Sequence, residues 1–143
     1  MNNGGVVIGL DVGTCRIGVA RGDKAVKVAS PLLVLSNDDK IWNNLQQLLE
    51  SAHAETVVIG LPRDAEGQET AQSKISRDFA TKLSEIISIP VVFQDESLTS
   101  ITAEQNLRTR KNFQEQMLRD GTLDSEAAAL ILADYLEENH GAV

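Results

Sequence analysis

The sequence predicts an α/β fold in which a mixed β-sheet carries helices on its faces. Three apolar, β-prone segments joined by short turns open the chain, which indicates an antiparallel meander. From residue 38 onward helical patterns alternate with apolar strands, and this alternation requires parallel crossover connections. The predicted order is β-β-β-α-β-α-β-α-α. Because no repeat or linker is visible, we expect residues 1–143 to form one domain.

The first three strands are predicted from short apolar runs separated by turn-forming residues. They lie at residues 6–10, 17–20 and 26–35. The first run is wholly apolar and stops at Asp11, as expected for a buried strand with a polar residue at its carboxyl end. Gly13 and Gly22 mark the turns that follow the first and second strands.

The rest of the chain alternates between helical and extended patterns. Helices are predicted at residues 38–53, 69–87, 98–108 and 123–138, and strands at 56–59 and 89–93. Asn37 or Asp38 is expected to cap the first helix. In the third helix, Ile101, Ala103 and Leu107 are expected to face inward.

The composition is that of a globular protein, with 42% apolar and 24% charged residues. No apolar run approaches the roughly 18 residues that span a bilayer, and residues 1–5 lack the plan of a signal peptide. The single cysteine, Cys15, cannot form an internal disulfide, which agrees with a reducing compartment. We therefore expect a cytoplasmic protein without membrane contact, in which Cys15 is a small packed thiol.

The net charge of −8 argues against nucleic-acid binding, because proteins that bind nucleic acid usually present a basic face. Net charge, however, bears on solubility and steering more than on the chemistry of a site. A metal-dependent nuclease also concentrates carboxylates, and its bound cations supply positive charge that a formal count omits. The charge therefore lowers the expected affinity for long nucleic acids without excluding a nuclease.

Two carboxylates stand at the ends of predicted strands, since Asp11 ends the first strand and Glu96 follows the fifth. If the first, fourth and fifth strands run parallel, both share one rim with the turn at residues 60–62, where α/β sheets bind ligands. Asp124 opens the last helix, where the helix dipole stabilises an acidic side chain. A helix packed on the sheet would bring Asp124 to the same rim.

Three carboxylates on one rim repel one another unless cations neutralise them. Oxygen-rich sites without thiolates suit Mg²⁺ or Mn²⁺. Two such ions, about 3.5–4 Å apart, stabilise the attacking and leaving oxygens of a phosphodiester displacement. We therefore predict metal-dependent phosphodiester hydrolysis at Asp11, Glu96 and Asp124, a reaction that needs no side-chain nucleophile.

Each of these carboxylates also has an ordinary structural explanation. Asp11 can start a turn with Gly13, and Asp124 can cap the apolar helix that follows it. Glu96 can be a solvated loop residue. The coincidence of all three at one edge favours a shared site, and the spacing alone leaves both explanations open.

Four segments of the chain carry distinct motifs. They are GLDVGTCRIGVA at residues 9–20, VIGLP at 58–62 followed by Gly67, DESLTS at 95–100, and LDSEAAALIL at 123–132. In this order they resemble the motifs of the YqgF family, also called RuvX, of Holliday junction resolvases. The resemblance covers nearly the whole chain, and four motifs in the correct order make it specific.

The resemblance implies an RNase H-like fold, with a five-stranded mixed sheet of order 3-2-1-4-5 and helices on both faces. It implies a nuclease whose metal ligands fall on Asp11, Glu96 and Asp124, the residues that the rim argument also selects. The family is associated with maturation of the 5′ end of 16S rRNA and with junction resolution. Asp95 and Asp120 are candidates for a fourth metal ligand.

Other residues of the matched motifs are candidates for substrate binding. Gly13 and the turn formed by Gly60 and Pro62 let the backbone approach a phosphate, although a plain turn or bulge is the alternative. Arg16 can bind a phosphate through two hydrogen bonds, or form a salt bridge that holds the acidic cluster together. Thr99 can contact the substrate backbone or cap the helix that follows it.

Arg110 and Lys111 form a basic patch before the last helix. Many members of the family have a strongly basic segment there, and this patch is weaker. A weak patch suits a short or pre-positioned substrate better than a large junction. Junction resolution also needs a symmetric dimer, whereas a single-stranded RNA needs one site. We therefore expect precursor 16S rRNA as substrate, with branched DNA as the alternative, and a monomer or weak homodimer.

Two functions of other classes remain open at this stage. The segment DVGT at residues 11–14 also resembles the phosphate loop of ATP-handling domains of the sugar-kinase and actin type. Those proteins close two domains on a nucleotide, which 143 residues cannot supply. The second alternative is a non-catalytic module that binds RNA or the transcription machinery, in which neutralising the three carboxylates would have no effect.

Overall fold

The computed structural model describes residues 5–96 and 99–140, and it contains the predicted strands and helices in the predicted order. The strands are β1 Val6–Val12, β2 Arg16–Asp23, β3 Val28–Ser36, β4 Ala54–Pro62 and β5 Val91–Glu96. The helices are α1 Ile41–Ala52, α2 Ala71–Ile86, α3 Thr99–Arg108 and α4 Thr122–His140. A short 3₁₀-helix, Glu115–Leu118, lies in the segment between α3 and α4, where the sequence shows little pattern.

The strands form one mixed sheet of order β3-β2-β1-β4-β5, as the resemblance implied. β1 pairs antiparallel with β2, and β2 pairs antiparallel with β3. β1 also pairs parallel with β4, which in turn pairs parallel with β5. The carboxyl ends of β1, β4 and β5 therefore meet at one rim, which is the condition that the rim argument required.

One face of the sheet is covered by α1 and α2 and is packed with large apolar side chains. Ile8, Leu10 and Val12 alternate along β1 and point to this face. They pack with residues of β4, α1 and α2, namely Val57, Ile59, Ile41, Leu45, Phe79 and Leu83. Leu10 is fully buried in this cluster.

The opposite face holds α4 against glycines. Four glycines lie under α4: Gly9, Gly18, Gly22 and Gly60. A Cβ atom at any of them would come within 2.9 Å of an α4 atom, so the absence of side chains lets the helix lie close to the sheet. Ala128, Ile131 and Leu132 of α4 pack there with Val7 and Val58. The residues of β1 that point to this face alternate with the large apolar ones, so Asp11 faces α4.

Two predictions about α1 and α3 are wrong. Neither Asn37 nor Asp38 caps α1, whose N-cap is Lys40 without a side-chain hydrogen bond. The Asp38 carboxylate accepts the backbone N–H of Lys40 in a local turn instead. In α3, Ala103 and Leu107 are buried but Ile101 is 61% exposed, because it lies two positions before Ala103 and so points to nearly the opposite side of the helix.

The prediction that Cys15 is packed is also wrong, because its side chain is exposed in the turn between β1 and β2. This turn has three residues and projects from the rim of the sheet. Across residues 5–96 and 99–140, none of the helices combines the length and the apolar character needed to cross a bilayer.

Candidate active site

The site is built on the sheet face that α4 covers, at the carboxyl ends of the parallel strands. Asp11 is the sixth residue of β1 and lies opposite Gly18 of β2. Glu96 ends β5 and lies opposite Pro62 of β4. Glu96 lies over Gly60, because a Cβ at that glycine would come within 2.6 Å of a carboxylate oxygen of Glu96. Gly60 thus leaves room for Glu96 beside α4.

Asp124 is brought to the same place by the packing of α4 on β2. It lies in the first turn of α4, where its backbone N–H donates to the carbonyl of Gly121 at 2.9 Å. The backbone of Asp124 lies directly on Gly18, since any side chain at that glycine would overlap the Asp124 carbonyl oxygen. Gly18 pairs with Asp11, so the two carboxylates are neighbours across one strand pair.

The pKa of Asp11 reflects the proximity of the other two acidic groups. Burial, together with the negative charges of Glu96 and Asp124, raises the pKa of Asp11 from 3.8 to about 7. Two residues distant in the chain therefore act on one partly buried carboxyl group. Near neutral pH this group carries a proton for a large fraction of the time unless a positive charge compensates for its neighbours.

Arg16 supplies one such positive charge to the cluster. It is the first residue of β2, and its Nε donates to Oδ2 of Asp124 at 3.0 Å. Its Nη1 makes a longer contact, at 3.5 Å, with the carbonyl of Arg119. Of the two roles predicted for Arg16, the structure contains the salt bridge with the acidic cluster.

Polar side chains from α2 and from the segment after β3 fix the backbone at the ends of β1 and β4. The side-chain amide of Asn37 donates to the Gly13 carbonyl at 2.7 Å. The side-chain amide of Gln72, in the first turn of α2, donates to the Val12 carbonyl at 2.8 Å. The hydroxyl of Ser73 donates to the carbonyl of Pro62. The ends of β1 and β4 are thus tied to α2 and to the segment after β3.

The donor set suits a hard divalent cation, because Asp11, Glu96 and Asp124 offer carboxylate oxygens without a thiolate or imidazole. A cation would also remove the like-charge repulsion that raises the pKa of Asp11. Among residues 5–96 and 99–140, no three acidic, histidine or cysteine side chains are already arranged as a set of metal ligands. In the structure, Asp124 is bound to Arg16.

The profile of a known family matches residues 5–138, which is nearly the whole chain, and its description is "RuvX: Holliday junction resolvase". The matched residues include Asp11, Glu96 and Asp124 and the strands and helix that carry them. The chain belongs to the RuvX family.

Curated relatives agree with this membership over nearly their whole length. A protein of Klebsiella pneumoniae is 33% identical over 137 residues, which cover 94% of this chain and 98% of the relative. A protein of Anaeromyxobacter is 36% identical over 135 residues, covering 93% and 97%. Both are named "Putative pre-16S rRNA nuclease".

Solved structures of resolvases share the fold. RuvC of Thermus thermophilus, solved with a Holliday junction substrate, superposes with a TM-score of 0.57 at 18% identity. The superposition covers 94% of this chain and 96% of RuvC. The RuvX chain therefore has the RNase H-like architecture of the resolvases, as the resemblance implied.

The remaining predicted substrate-binding residues of the RuvX chain have different surroundings. Gly13 closes the turn after β1, where its N–H donates to the carbonyl of Arg16 at 2.9 Å. Thr99 begins α3, and its side chain lies outside the described residues. Arg110 binds both carboxylate oxygens of Glu126, at 2.6 and 3.0 Å, while Lys111 is exposed.

The Arg110–Glu126 pair lies away from the three carboxylates. Glu126 follows Asp124 by two positions on α4, so their side chains point about 200° apart around the helix axis. Glu126 is only 2% exposed, which identifies the pair as part of the packing between α4 and the segment before it. We infer that the main role of Arg110 is to stabilise the fold.

The two candidates for a fourth ligand are bound elsewhere. Asp95 alternates with Glu96 along β5 and faces the other side of the sheet, where Arg63 donates to it at 3.0 Å. Asp120 accepts hydrogen bonds from the N–H and the hydroxyl of Thr122, which lower the pKa of Asp120. Asp120 thus supports the start of α4.

Proposed function

We propose that the RuvX chain is a metal-dependent endonuclease that hydrolyses phosphodiester bonds, with Asp11, Glu96 and Asp124 as ligands of Mg²⁺ or Mn²⁺. The observation that carries this proposal is the position of the three carboxylates, because Asp11 lies opposite Gly18, the Asp124 backbone lies on Gly18, and Glu96 lies over Gly60. In keeping with this position, burial and the charges of the other two carboxylates raise the pKa of Asp11. The ionised form of a buried carboxyl group beside two negative charges is unfavourable in the free protein. A bound divalent cation stabilises this ionised form. Perturbed carboxyl groups of this kind are typical of functional sites.

In the proposed reaction the protein holds the three carboxylates in place around the cations. Asp11, fixed between paired strands and partly buried, offers its carboxylate from the floor of the site. Glu96 and Asp124 approach it from β5 and from α4, at the two sides. Bound divalent cations would activate the attacking water and stabilise the departing 3′-oxygen.

Substrate binding at the rim relies on groups around these carboxylates. We propose that Arg16, Lys111 and Thr99 contact the phosphate backbone, while Gly13 and the end of β4 at Gly60 and Pro62 allow it to come close. The predicted turn at residues 60–62 is wrong, because these residues end β4 and pair with β5. The RuvX chain is net acidic, so bound cations would supply part of the attraction for the substrate.

We propose that the substrate is the precursor of 16S rRNA, because curated relatives that cover nearly the whole chain are named for this reaction. The protein would then act in the cytoplasm, as a single domain with one site per chain. Resolution of Holliday junctions is the second candidate, which the description of the family and the shared fold of RuvC favour. It would require a dimer with two symmetry-related sites.

The test compares two substrates under identical conditions. A labelled precursor fragment spanning the 5′ end of 16S rRNA and a synthetic four-way DNA junction are incubated with the protein and Mg²⁺ or Mn²⁺. We expect site-specific cleavage of the RNA, and loss of cleavage with chelator. The oligomeric state is measured in the same buffer, because junction cleavage predicts a dimer.

Two matched aspartate variants distinguish the loss of a metal ligand from the loss of one negative charge elsewhere in the protein. Asp11→Asn should reduce cleavage by about 10³-fold or more, because it removes a ligand from the centre of the site. Asp95→Asn removes the same charge from the opposite face of the sheet, beside Arg63, and should cleave at nearly the rate of the unmodified protein. Cleavage by Asp11→Asn at the unmodified rate would end the catalytic assignment.

A further inference from the structure

Arg16 and Asp124 form an ion pair between elements that are 108 residues apart in the chain. Arg16 lies two positions before Gly18 on β2, so both residues point to the same face of the sheet. This is the face that α4 covers and to which Asp11 points. The bond from Nε of Arg16 to Oδ2 of Asp124 is 3.0 Å long. A guanidinium group thus occupies an oxygen of a carboxylate that our proposed function assigns to a metal ion.

This ion pair differs in kind from the other one that anchors the start of α4. Arg110 binds Glu126 through two nitrogens, and the Glu126 side chain is 3% exposed, although Arg110 itself is 51% exposed. Arg16 makes one short bond to Asp124, and the two side chains are 48% and 33% exposed. Single, solvent-accessible ion pairs contribute little to stability and reform easily. The Arg16–Asp124 pair can therefore open without disturbing the fold.

The backbone that carries Arg16 is fixed by its neighbours. The carbonyl of Arg16 accepts the N–H of Gly13, and the Gly13 carbonyl accepts the Asn37 side chain. Arg16 also pairs with Ser36 of β3. Its side chain lies over Gly121, where a Cβ atom would come within 3.2 Å of the Arg16 Cδ. Movement is therefore confined to the end of the Arg16 side chain.

We propose that Arg16 is an exchangeable cation of the site, which occupies Asp124 in the free protein, yields it to a divalent cation, and then binds a phosphate oxygen of the substrate. This inference rests on the proposed function and adds an order of events to it. The guanidinium and the incoming cation compete for the same oxygen, and the cation carries the larger charge. The released guanidinium stays at the rim, where two-point binding of phosphate is its favoured interaction.

The exchange predicts the sign of one measurable change. Arg16→Gln removes the competitor, so Mg²⁺ should bind about two- to five-fold more tightly to the variant, the range expected for an exposed ion pair. If Arg16 instead held Asp124 in position for the metal, the same substitution would weaken Mg²⁺ binding. Isothermal titration calorimetry with MgCl₂, on protein shown to be folded by circular dichroism, measures the difference.

Arg63→Gln is the matched control. It removes another ion pair of the same kind, because Nε of Arg63 also donates to an aspartate oxygen at 3.0 Å, on Asp95. This pair lies on the opposite face of the sheet from Asp11. We expect Arg63→Gln to leave Mg²⁺ affinity unchanged, so that a change seen with Arg16→Gln cannot be a general effect of charge.

A second readout follows the guanidinium itself. Addition of Mg²⁺ should shift the ¹⁵N signal of the Arg16 Nε–H in the unmodified protein, because the bond to Asp124 is lost. With a short labelled single-stranded RNA, in Ca²⁺ and with gel analysis to verify that the RNA stays intact, Arg16→Gln should bind several-fold more weakly. Arg16→Lys, which keeps the charge and loses the two-point geometry, should recover part of that affinity.

The outcomes separate this inference from the proposed function. Unchanged or weaker Mg²⁺ binding by Arg16→Gln, or an Arg16 signal that does not respond to Mg²⁺, would overturn the exchange while leaving the nuclease assignment intact. Absence of Mg²⁺ binding in both the unmodified protein and the variant would overturn both. Tighter Mg²⁺ binding together with weaker RNA binding supports the exchange.

Discussion

The two faces of the sheet are built from the same strands, but one carries large apolar side chains and the other carries the acidic site. On the face covered by α1 and α2, Ile8, Leu10 and Val12 interlock with other large apolar side chains. On the face covered by α4, the intervening residues of β1 are Gly9 and Asp11, and the helix lies almost on the backbone. Alternation along a single strand thus places the main core on one side and the carboxylates on the other.

The comparison teaches how a small domain can bury a charged group. The face with α1 and α2 supplies stability through apolar burial, which leaves the α4 face free to hold repelling carboxylates. Glycines on that face let α4 bring Asp124 close to Asp11, and they contribute no apolar side chain of their own. Substitutions on the face with α1 and α2 should therefore change stability without changing the site chemistry, whereas those that displace α4 should change both.

The largest effect is expected from a cavity in the apolar face. Leu10→Ala should lower the free energy of unfolding by about 2–5 kcal/mol, because Leu10 is fully buried. Mg²⁺ affinity of the folded variant should stay within two-fold of the unmodified protein. Urea unfolding and calorimetric titration test both expectations. A large loss of Mg²⁺ affinity without unfolding would show that the two faces are not independent.

The next effect concerns the approach of α4 to the sheet. Gly18→Ala places a Cβ on the carbonyl of Asp124, so α4 must move, at a cost of about 3 kcal/mol. Gly5→Ala is the control, because the atoms nearest to its Cβ belong to the flexible side chain of Glu55. Thermal unfolding and Mg²⁺ titration should show loss in the first variant and little change in the second. Equal behaviour of the two would refute close packing as the reason for Gly18.

A smaller loss is expected from the Arg110–Glu126 ion pair near the start of α4, in which only the carboxylate is buried. Arg110→Ala leaves Glu126 buried without its partner and should cost about 2–3 kcal/mol. If Arg110 acts through the fold, RNA affinity of the folded variant should change little, whereas Lys111→Ala should weaken it. Urea unfolding and RNA titration in Ca²⁺ distinguish the two. Unchanged stability with weakened RNA binding would restore Arg110 as a substrate ligand.

The last effect has the opposite sign, because the substitution stabilises the protein. The pKa of Asp11 is raised from 3.8 to about 7, so between these values the folded protein binds more protons than the unfolded chain. In chelator, the contribution of Asp11 to stability therefore falls as pH rises from about 4 to about 7 and is constant above. Asp11→Asn should remove this loss and stabilise the metal-free protein at pH 8 by up to about 4 kcal/mol, since each pKa unit corresponds to about 1.4 kcal/mol.

Urea unfolding of both proteins at pH 5 and pH 8 measures the effect of Asp11→Asn. The difference between them should be larger at pH 8, and Mg²⁺ should reduce it by stabilising only the unmodified protein. A variant that is less stable than the unmodified protein at pH 8 in chelator would show that the ionised Asp11 supports the fold, contrary to our account.

The sequence was sufficient for features that depend on local pattern. Asp11 and Glu96 were found because each ends an apolar strand, and parallel strands bring their carboxyl ends together. The strand order itself came from the resemblance to the RuvX family, which the profile match confirms. Asp124 was selected by its place at the start of the last helix, where the structure has it in the first turn.

The partners of these residues could not be predicted, because they depend on tertiary contacts. Arg16 and Asp124 are 108 residues apart, and no local pattern connects them. Asn37 looked like a helix cap, yet its side chain binds the turn at Gly13. Arg110 looked like a free basic residue, although Glu126 neutralises it from the next helix. Residue type indicated the chemistry in each case, while packing decided the partner.

The central claim is that Asp11, Glu96 and Asp124 bind divalent cations together. Crystals of the protein grown or soaked in Mn²⁺, with anomalous diffraction measured near the manganese edge, test it most directly. Our account predicts anomalous density within coordination distance of oxygens from all three carboxylates, with the Arg16 guanidinium moved off Asp124. Density that appears only at other acidic residues, or that contacts Asp11 without Glu96 and Asp124, would contradict it.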